Sequence, residues 1–203
     1  MRKKRCYIIN YLIKNNKYTT YLEIGIRNSI FNFDRIRCRY KEGVDPDPLC
    51  KSKYIMTSDI FFNKISLDKK YDIIFIDGMH KSDQVTKDIM NSLNHLSIGG
   101  TIVLHDCNPI SLNAQIENRL KSIKKWNGTV WKAFALLRMT RKDLSMYVVD
   151  VDQGCGVITR GYQKLFKKIN KEELTYNFLK ENRKELLKLC SIKKFKIKIK
   201  DVN

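Results

Sequence analysis

YDIIFIDGMHKSDQVTKDIMNSLNHLSIGGTIVLHDCNP, residues 71–109, reads as a strand, a helix and a second strand, each strand stopping at polar residues. Tyr71 to Ile76 is almost continuously apolar and ends at Asp77-Gly78-Met79-His80. From about Ser82 to Leu96, Val85, Ile89, Leu93 and Leu96 recur three or four residues apart, the spacing of a helix with one buried face. Gly99-Gly100 is expected to break that helix, and the next apolar strand, Thr101 to Leu104, stops at His105-Asp106. A strand that is apolar on both faces needs layers above and below it, as in the parallel sheet of an α/β domain. Ligands of such sheets bind at the carboxyl ends of the strands, so Asp77, His80, His105 and Asp106 are expected around one crevice.

Working outward, residues 5–16 predict a helix and Tyr18 to Ile24 a first strand, running into Glu23-Ile24-Gly25-Ile26-Arg27-Asn28-Ser29. Ile30 to Arg37 looks helical, which would make strand, glycine turn and helix an anion-facing unit. The single glycine does not make the G-x-G-x-x-G of a dinucleotide fold. An acid two residues before it suits an amino group better than a pyrophosphate. A second strand, Arg39 to Val44, ends at Asp45-Pro46-Asp47-Pro48. A carboxylate there can accept both protons of a ribose diol, although Asp-Pro is also an ordinary turn former. A short strand, Tyr54 to Thr57, leads to Ser58-Asp59 and a helix from Ile60 to about Leu67; these two residues either cap that helix or hold an adenine amino group.

Beyond the central stretch, helices are expected over Pro109 to Lys124 and up to Met139. Leu144 to Asp150 and Cys155 to Thr159 form a hairpin around Val151-Asp152-Gln153-Gly154. The fold class is therefore α/β: a Rossmann-like, seven-stranded, mostly parallel, doubly wound sheet with an antiparallel C-terminal hairpin. A long amphipathic helix follows from about Lys171 to Cys190. Phe195 to Lys200 alternates apolar and basic residues with period two, the pattern of an edge strand, an arm on a partner or a contact with an anionic surface; a solvated terminus is the plainer reading.

With 203 residues, 43% of them hydrophobic, the chain suits one domain spanning 1–203, with an N-terminal helix within 1–17 and a C-terminal helix and basic tail in 171–203. No apolar run approaches the ~20 residues of a membrane span. The opening MRKKRCYIINYLIK has a basic head and apolar middle, but Asn10 interrupts it and no small-residue cleavage site follows, so it reads as a short amphipathic helix. The six cysteines contain no C-x-x-C pair, which suggests neither zinc nor a disulfide framework. A reducing compartment follows: the cytoplasm, or a host's cytoplasm for a viral chain. The net charge of +19 fits a polyanionic partner or simply a Lys-, Asn-, Ile- and Tyr-rich composition. Without interleaved arginine and aromatic residues, nucleic acid is disfavoured as a partner.

Taken in order, E-I-G, V-D-P, S-D, I-D-G-x-H and L-x-x-G-G-x-I-x-x-H-D resemble the class I S-adenosylmethionine (SAM)-dependent methyltransferases. More narrowly they resemble the methyltransferase domain 24 branch, found among sugar- and polysaccharide-modifying enzymes. W-N-G-T-V-W-K-A-F and D-V-D-Q-G-C-G-V-I extend the likeness over about Tyr21 to Gly161. The resemblance implies that Glu23 and Gly25 hold SAM's amino-acid end, Asp45 the ribose hydroxyls, and Ser58 and Asp59 the adenine side. It sets Asp77 and His80, with His105 and Asp106, near the transferred methyl.

Two departures stand out. Ser29 replaces a second glycine, and Met79 replaces an acid that in metal-dependent relatives resembles the catalytic base. With His105 in place of another carboxylate, Asp77 and Asp106 are left as the ligands for any Mg-type cation, which prefers oxygen donors. The implied activity is O-methylation of a sugar or glycan precursor, with His80 favoured over His105 as base and Asp106 orienting it. Trp131 and Lys132 are expected to line the acceptor pocket, unless Trp131 is core. A homo-oligomer is left open. The alternatives are an O-methyltransferase of a small catechol-like metabolite, or a catalytically silent basic module that binds nucleic acid.

Overall fold

A computed structural model describes residues 4–50, 52–167 and 169–200; residues 1–3 of the predicted N-terminal segment and 201–203 of the basic tail lie outside it. The strands are β1 (Thr20–Ile24), β2 (Tyr40–Asp45), β3 (Tyr54–Ile55), β4 (Tyr71–Ile76), β5 (Leu96–Leu104), β6 (Leu144–Val149) and β7 (Cys155–Arg160). They form one seven-stranded sheet in the order β3-β2-β1-β4-β5-β7-β6. Pairing is parallel from β3 to β5, and β7 runs antiparallel to both β5 and β6. The expected α/β class, seven strands and closing hairpin are all present.

The two faces of β4 show why its sequence is apolar throughout. Ile74 and Ile76 belong to the core under α2 (Ser58–Lys64), α3 (Ser82–Asn94), α4 (Val130–Thr140) and α5 (Tyr176–Leu186), with Phe61, Ile89, Phe134 and Leu179 in the same cluster. Ile73 and Phe75 face the opposite layer, α1 (Arg5–Asn16) and α6 (Ile192–Lys200), with Ile8, Ile9, Leu12 and Phe195. Strand order reverses between β1 and β4, so the carboxyl ends of these neighbours diverge around a crevice.

Several local expectations give way to tertiary contacts. Ile30 to Arg37 is not an α-helix but two short 3-10 turns, Ser29–Phe31 and Phe33–Arg35. Between them, the Asn32 side chain turns inward to Glu23 and Tyr21, which no continuous surface helix would permit. α2 is capped by Thr57, whose hydroxyl accepts from the Ile60 N–H at 3.3 Å; Ser58 and Asp59 lie inside its first turn. Gly99-Gly100 sits within β5, because Leu96 already pairs with Tyr71 and an irregularity in register absorbs the glycines. Pro109 to Lys124 holds only the 3-10 turn Asn113–Gln115; Ala114 is buried, but Ile110, Leu112 and Leu120 stay exposed, so little burial rewards a helix.

The C-terminal half departs similarly. The expected helix from Lys171 begins as a 3-10 turn, and α5 starts only after Thr175, whose hydroxyl accepts from the Phe178 N–H. The period-two tail is a helix. Ile192, Phe195 and Ile199 recur at helical spacing and pack in the second core, whereas Ile197 is half exposed. Full burial of a Phe side chain contributes roughly 1.5–3 kcal/mol, and the strand alternative would have turned Ile197 to the same side as Phe195.

Candidate active site

The strand ladder itself delivers the polar residues. Past the last strand residues, the Asp77 N–H donates to the Ile24 carbonyl at 2.8 Å and the His105 N–H to the Ile76 carbonyl at 3.1 Å. Gly25 adopts φ +85°, and a Cβ there would lie 2.4 Å from the Gly78 Cα; only glycine lets the β1 and β4 turns touch. Above these ends opens a cleft of about 920 Å³, lined by every residue singled out as a site residue: Glu23, Gly25, Asp45, Ser58, Asp59, Asp77, His80, His105 and Asp106. Trp131 and Lys132 are not among the lining residues. Trp131 is fully buried in the core of α4, because helical periodicity turns it inward with Phe134.

At the β1–β3 end the carboxylates are held mainly by neutral donors. Glu23 is buried and accepts from the Tyr21 hydroxyl at 2.5 Å and the Asn32 amide at 3.0 Å. Burial pushes its carboxyl up to about 8, against the pull of those two donors. Beside it the buried Asn32 Oδ1 has no hydrogen-bond partner. A carboxylate and an orphaned amide oxygen suit an ammonium group. Asp45 accepts from the Arg27 N–H at 2.8 Å through Oδ2 and from the Asp47 N–H at 2.9 Å through Oδ1. Each oxygen keeps a lone pair, so a vicinal diol fits. Gln84 of α3 donates to Ser58 Oγ, Asp59 Oδ1 and Asp88 Oδ1 at 3.3, 3.0 and 3.1 Å, and burial raises the Asp88 carboxyl to about 6.

The β4–β5 end is built from charges. His105 Nδ1 lies 3.1 Å from Asp77 Oδ1 and 3.2 Å from Asp106 Oδ2. Burial disfavours its charge, but the two carboxylates outweigh it and raise the imidazole well above its ordinary range. Burial likewise opposes ionisation of Asp77, and His105, His80 and Arg5 overcome it, holding that carboxyl well below the usual range. Arg5, at the start of α1, reaches Asp77 Oδ2 at 3.5 Å and Asp152 Oδ2 at 3.2 Å. Asp152, in the β6–β7 turn, also accepts from the Arg5 N–H at 3.0 Å and so caps α1 from a distance. Neither Arg5 nor Asp152 carried a signal in the sequence that tied it to the cleft.

His80 is placed by the segment Trp126-Asn127-Gly128-Thr129. The Trp126 indole stacks on the His80 ring, centroids 4.8 Å apart and planes 9° from parallel. The Thr129 N–H donates to the His80 carbonyl at 2.8 Å, and the Ser82 N–H to the Thr129 hydroxyl at 2.8 Å. Gly128 has φ +60°, with its missing Cβ 2.2 Å from the His80 carbonyl oxygen. Asn127 donates to Asp106 Oδ1 at 3.1 Å and so steadies a residue that itself adopts φ +60°. Of this clamp, only the motif as a whole was visible beforehand; the glycine following a tryptophan and asparagine was the available clue.

Asp77, His80 and Asp106 also converge closely enough, within 4.8 Å, to share a metal ion. The His105 Nδ1–H already engages both Asp77 Oδ1 and Asp106 Oδ2. A histidine ring nitrogen on the very oxygens a hard cation needs does not fit a Mg site.

Residues 50–107 match the methyltransferase domain 24 family model, described as a methyltransferase domain. No curated protein matches the chain. Among solved structures, the chain is similar to an O-methyltransferase from Bacillus cereus in complex with S-adenosylhomocysteine (SAH), with 13% identity and a TM-score of 0.53 over 77% of this chain and 80% of that one. An SAH-bound methyltransferase of Podospora anserina shares 16% identity with a TM-score of 0.54, over 76% of each chain. The O-methyltransferase TomG of Streptomyces achromogenes, involved in tomaymycin synthesis and solved with SAM, shares 11% identity with a TM-score of 0.54, over 77% and 79%. The matched segment is a methyltransferase domain, and the fold is shared with these three methyltransferase structures. Among the described residues no helix is long and apolar enough to cross a membrane.

Proposed function

We propose that the protein is a SAM-dependent O-methyltransferase that methylates a hydroxyl of a sugar or glycan precursor. One observation carries the reading: a single cleft joins an ammonium- and diol-compatible end (Glu23, Asn32, Asp45) to a histidine–carboxylate cluster at the neighbouring strand ends. The bound cofactor supplies an electrophilic methyl. The chain's own task is to orient the acceptor hydroxyl and remove its proton. His105 is buried with Nδ1 against Asp77 and Asp106 and Nε2 against Arg5 and Asp152, so both its nitrogens are engaged within the cluster. His80 is the base in this reading: its Nδ1 lies 3.3 Å from Asp106 Oδ2 and its Nε2 3.5 Å from Asp77 Oδ1. Trp126 orients the ring through its stack, and Asp106, beside the unpartnered His80 Nδ1, stabilises the ring once protonated. Arg5 and His105 neutralise Asp77, so the added proton does not strand a charge.

Calorimetry with SAM and SAH tests the reading; no binding of either would sink it. The sugar class rests on the motif likeness alone, so an acceptor screen must follow. The second reading is methylation of a small catechol-like hydroxylated metabolite. Turnover of such an acceptor in that screen, with none of any sugar, would favour it.

A further inference from the structure

Resting on the methyltransferase reading of this cleft, we propose that the acceptor carries a phosphate or diphosphate group beside its reacting hydroxyl, bound by Arg119 and Lys124. Acids and cations both line it: Glu23, Asp45, Asp47, Asp59 and Asp88 with Arg27 at the β1–β3 end, and Asp77, Asp106 and Glu117 with Arg5, Lys81, Arg119 and Lys124 where His80 and Trp126 stand. Two of these cations are occupied: Arg5 by Asp77 and Asp152, and Lys81 by Glu117 at 3.6 Å. Arg119 and Lys124 line the same cleft, and among the described residues neither has a carboxylate within ion-pair distance.

On a chain of net charge +19 an exposed cation alone means little, so the backbone that carries this pair decides the matter. The loop is closed at its neck, where the Trp126 indole N–H donates to the Ile116 carbonyl at 2.7 Å and the Asn127 N–H to the Ala114 carbonyl at 2.7 Å. That neck rests on His80 through the Trp126 stack. Between the neck residues Ile116 and Trp126 the one acid, Glu117, is paired with Lys81, Arg119, Lys121, Lys124 and Lys125 have no acid left in the loop, and Leu120 is exposed. The closed loop thus presents Arg119 and Lys124 to the cleft without a countercharge, where an anionic group of the acceptor would meet them. The guanidinium fork and the ammonium together match a phosphate with charge-assisted hydrogen bonds.

The test titrates the full-length, SAH-saturated protein with inorganic pyrophosphate at fixed low salt. It compares the wild type, R119Q/K124Q, and the charge-matched control K193Q/K194Q on α6, which packs on the opposite layer. Loss of two charge-assisted contacts should weaken pyrophosphate at least about tenfold in R119Q/K124Q, with the control changed less than about twofold. No binding to the wild type, or equal losses in both variants, would overturn the proposal. Malonate binding as tight as pyrophosphate would overturn the phosphate assignment in favour of a carboxylate. The SAH titration is read separately: its failure removes the methyltransferase reading, while the pyrophosphate contrast on the cofactor-free chain still decides the anion site.

Discussion

The two ends of the cleft are held by different means. At the β1–β3 end, Asp45 is fixed by main-chain N–H groups within two or eighteen positions of it, and Glu23 by Tyr21 and Asn32 nearby in sequence. At the β4–β5 end, each charged group leans on another from far away: Arg5 on Asp77 and Asp152, Asn127 on Asp106, Trp126 on His80. Local, mostly neutral scaffolding suits a site that must present the same surface to the same cofactor. Long-range charge pairing suits the end where a proton changes hands, since the low local dielectric strengthens every pair.

The strongest way to break this contrast is His80→Ala. General-base catalysis contributes typically 10²–10⁴-fold, and turnover should fall by about that much while SAH affinity, read by calorimetry, stays within about twofold. Unchanged turnover would move the proton transfer away from His80 and remove the division of labour between the two ends.

Glu23→Gln acts on the other end and is read by pH. The Glu23 carboxyl titrates near 8 in the folded chain, against an ordinary value near 4.5. Its folded value is raised, so its contribution to stability is intact below about 4.5 and is lost as pH rises through about 8. A bound ammonium favours the ionised form, so cofactor binding should release a proton at neutral pH, and affinity should rise from pH 6 towards pH 8. In Glu23→Gln, calorimetry in buffers of different ionisation enthalpy should show that proton release gone. Affinity should drop by roughly ten- to a hundredfold, the cost of one hydrogen bond to a charged group. Its melting temperature should also fall less steeply than wild type between pH 6 and pH 9. An unchanged pH dependence would show that Glu23 does not meet the cofactor's charge.

The same contrast explains what could be read from the sequence. Strands buried on both faces are apolar throughout, so β1, β4, β5 and the β6–β7 hairpin were visible, and with them the residues that end them. Asp77, His80, His105 and Asp106 needed only that rule, whereas Glu23 was read from its place before Gly25 and Asp45 from the end of the second strand. What was missed depends on contacts no local pattern encodes. Asn32 breaks a plausible helix to reach Glu23, and residues 109–124 stay irregular with Ile110, Leu112 and Leu120 left exposed. In the C-terminal tail, Phe195 chooses helix over strand because α1 offers it a pocket; Tyr11 lies 5.3 Å from it, ring to ring. Of the two readings of Trp131, acceptor pocket or core, helical phase selects the core, and Trp126, for which no role was read, meets His80.

Gly128→Ala should have the smallest effect of the three, and it probes the joint between the ends and the acceptor loop. At φ +60° an L-residue is strained, and a Cβ would stand 2.2 Å from the His80 carbonyl oxygen, a backbone atom with little freedom to yield. A side chain forced into an incompatible backbone conformation costs more than about 1 kcal/mol, so the melting temperature should fall by a few degrees. The shift should pass to His80 through the Thr129–His80 bond, lowering turnover about tenfold with SAH affinity unchanged. Equal losses of turnover and SAH affinity would mean that the segment 126–129 supports the whole cleft, and that the two ends are less independent than their bonding suggests.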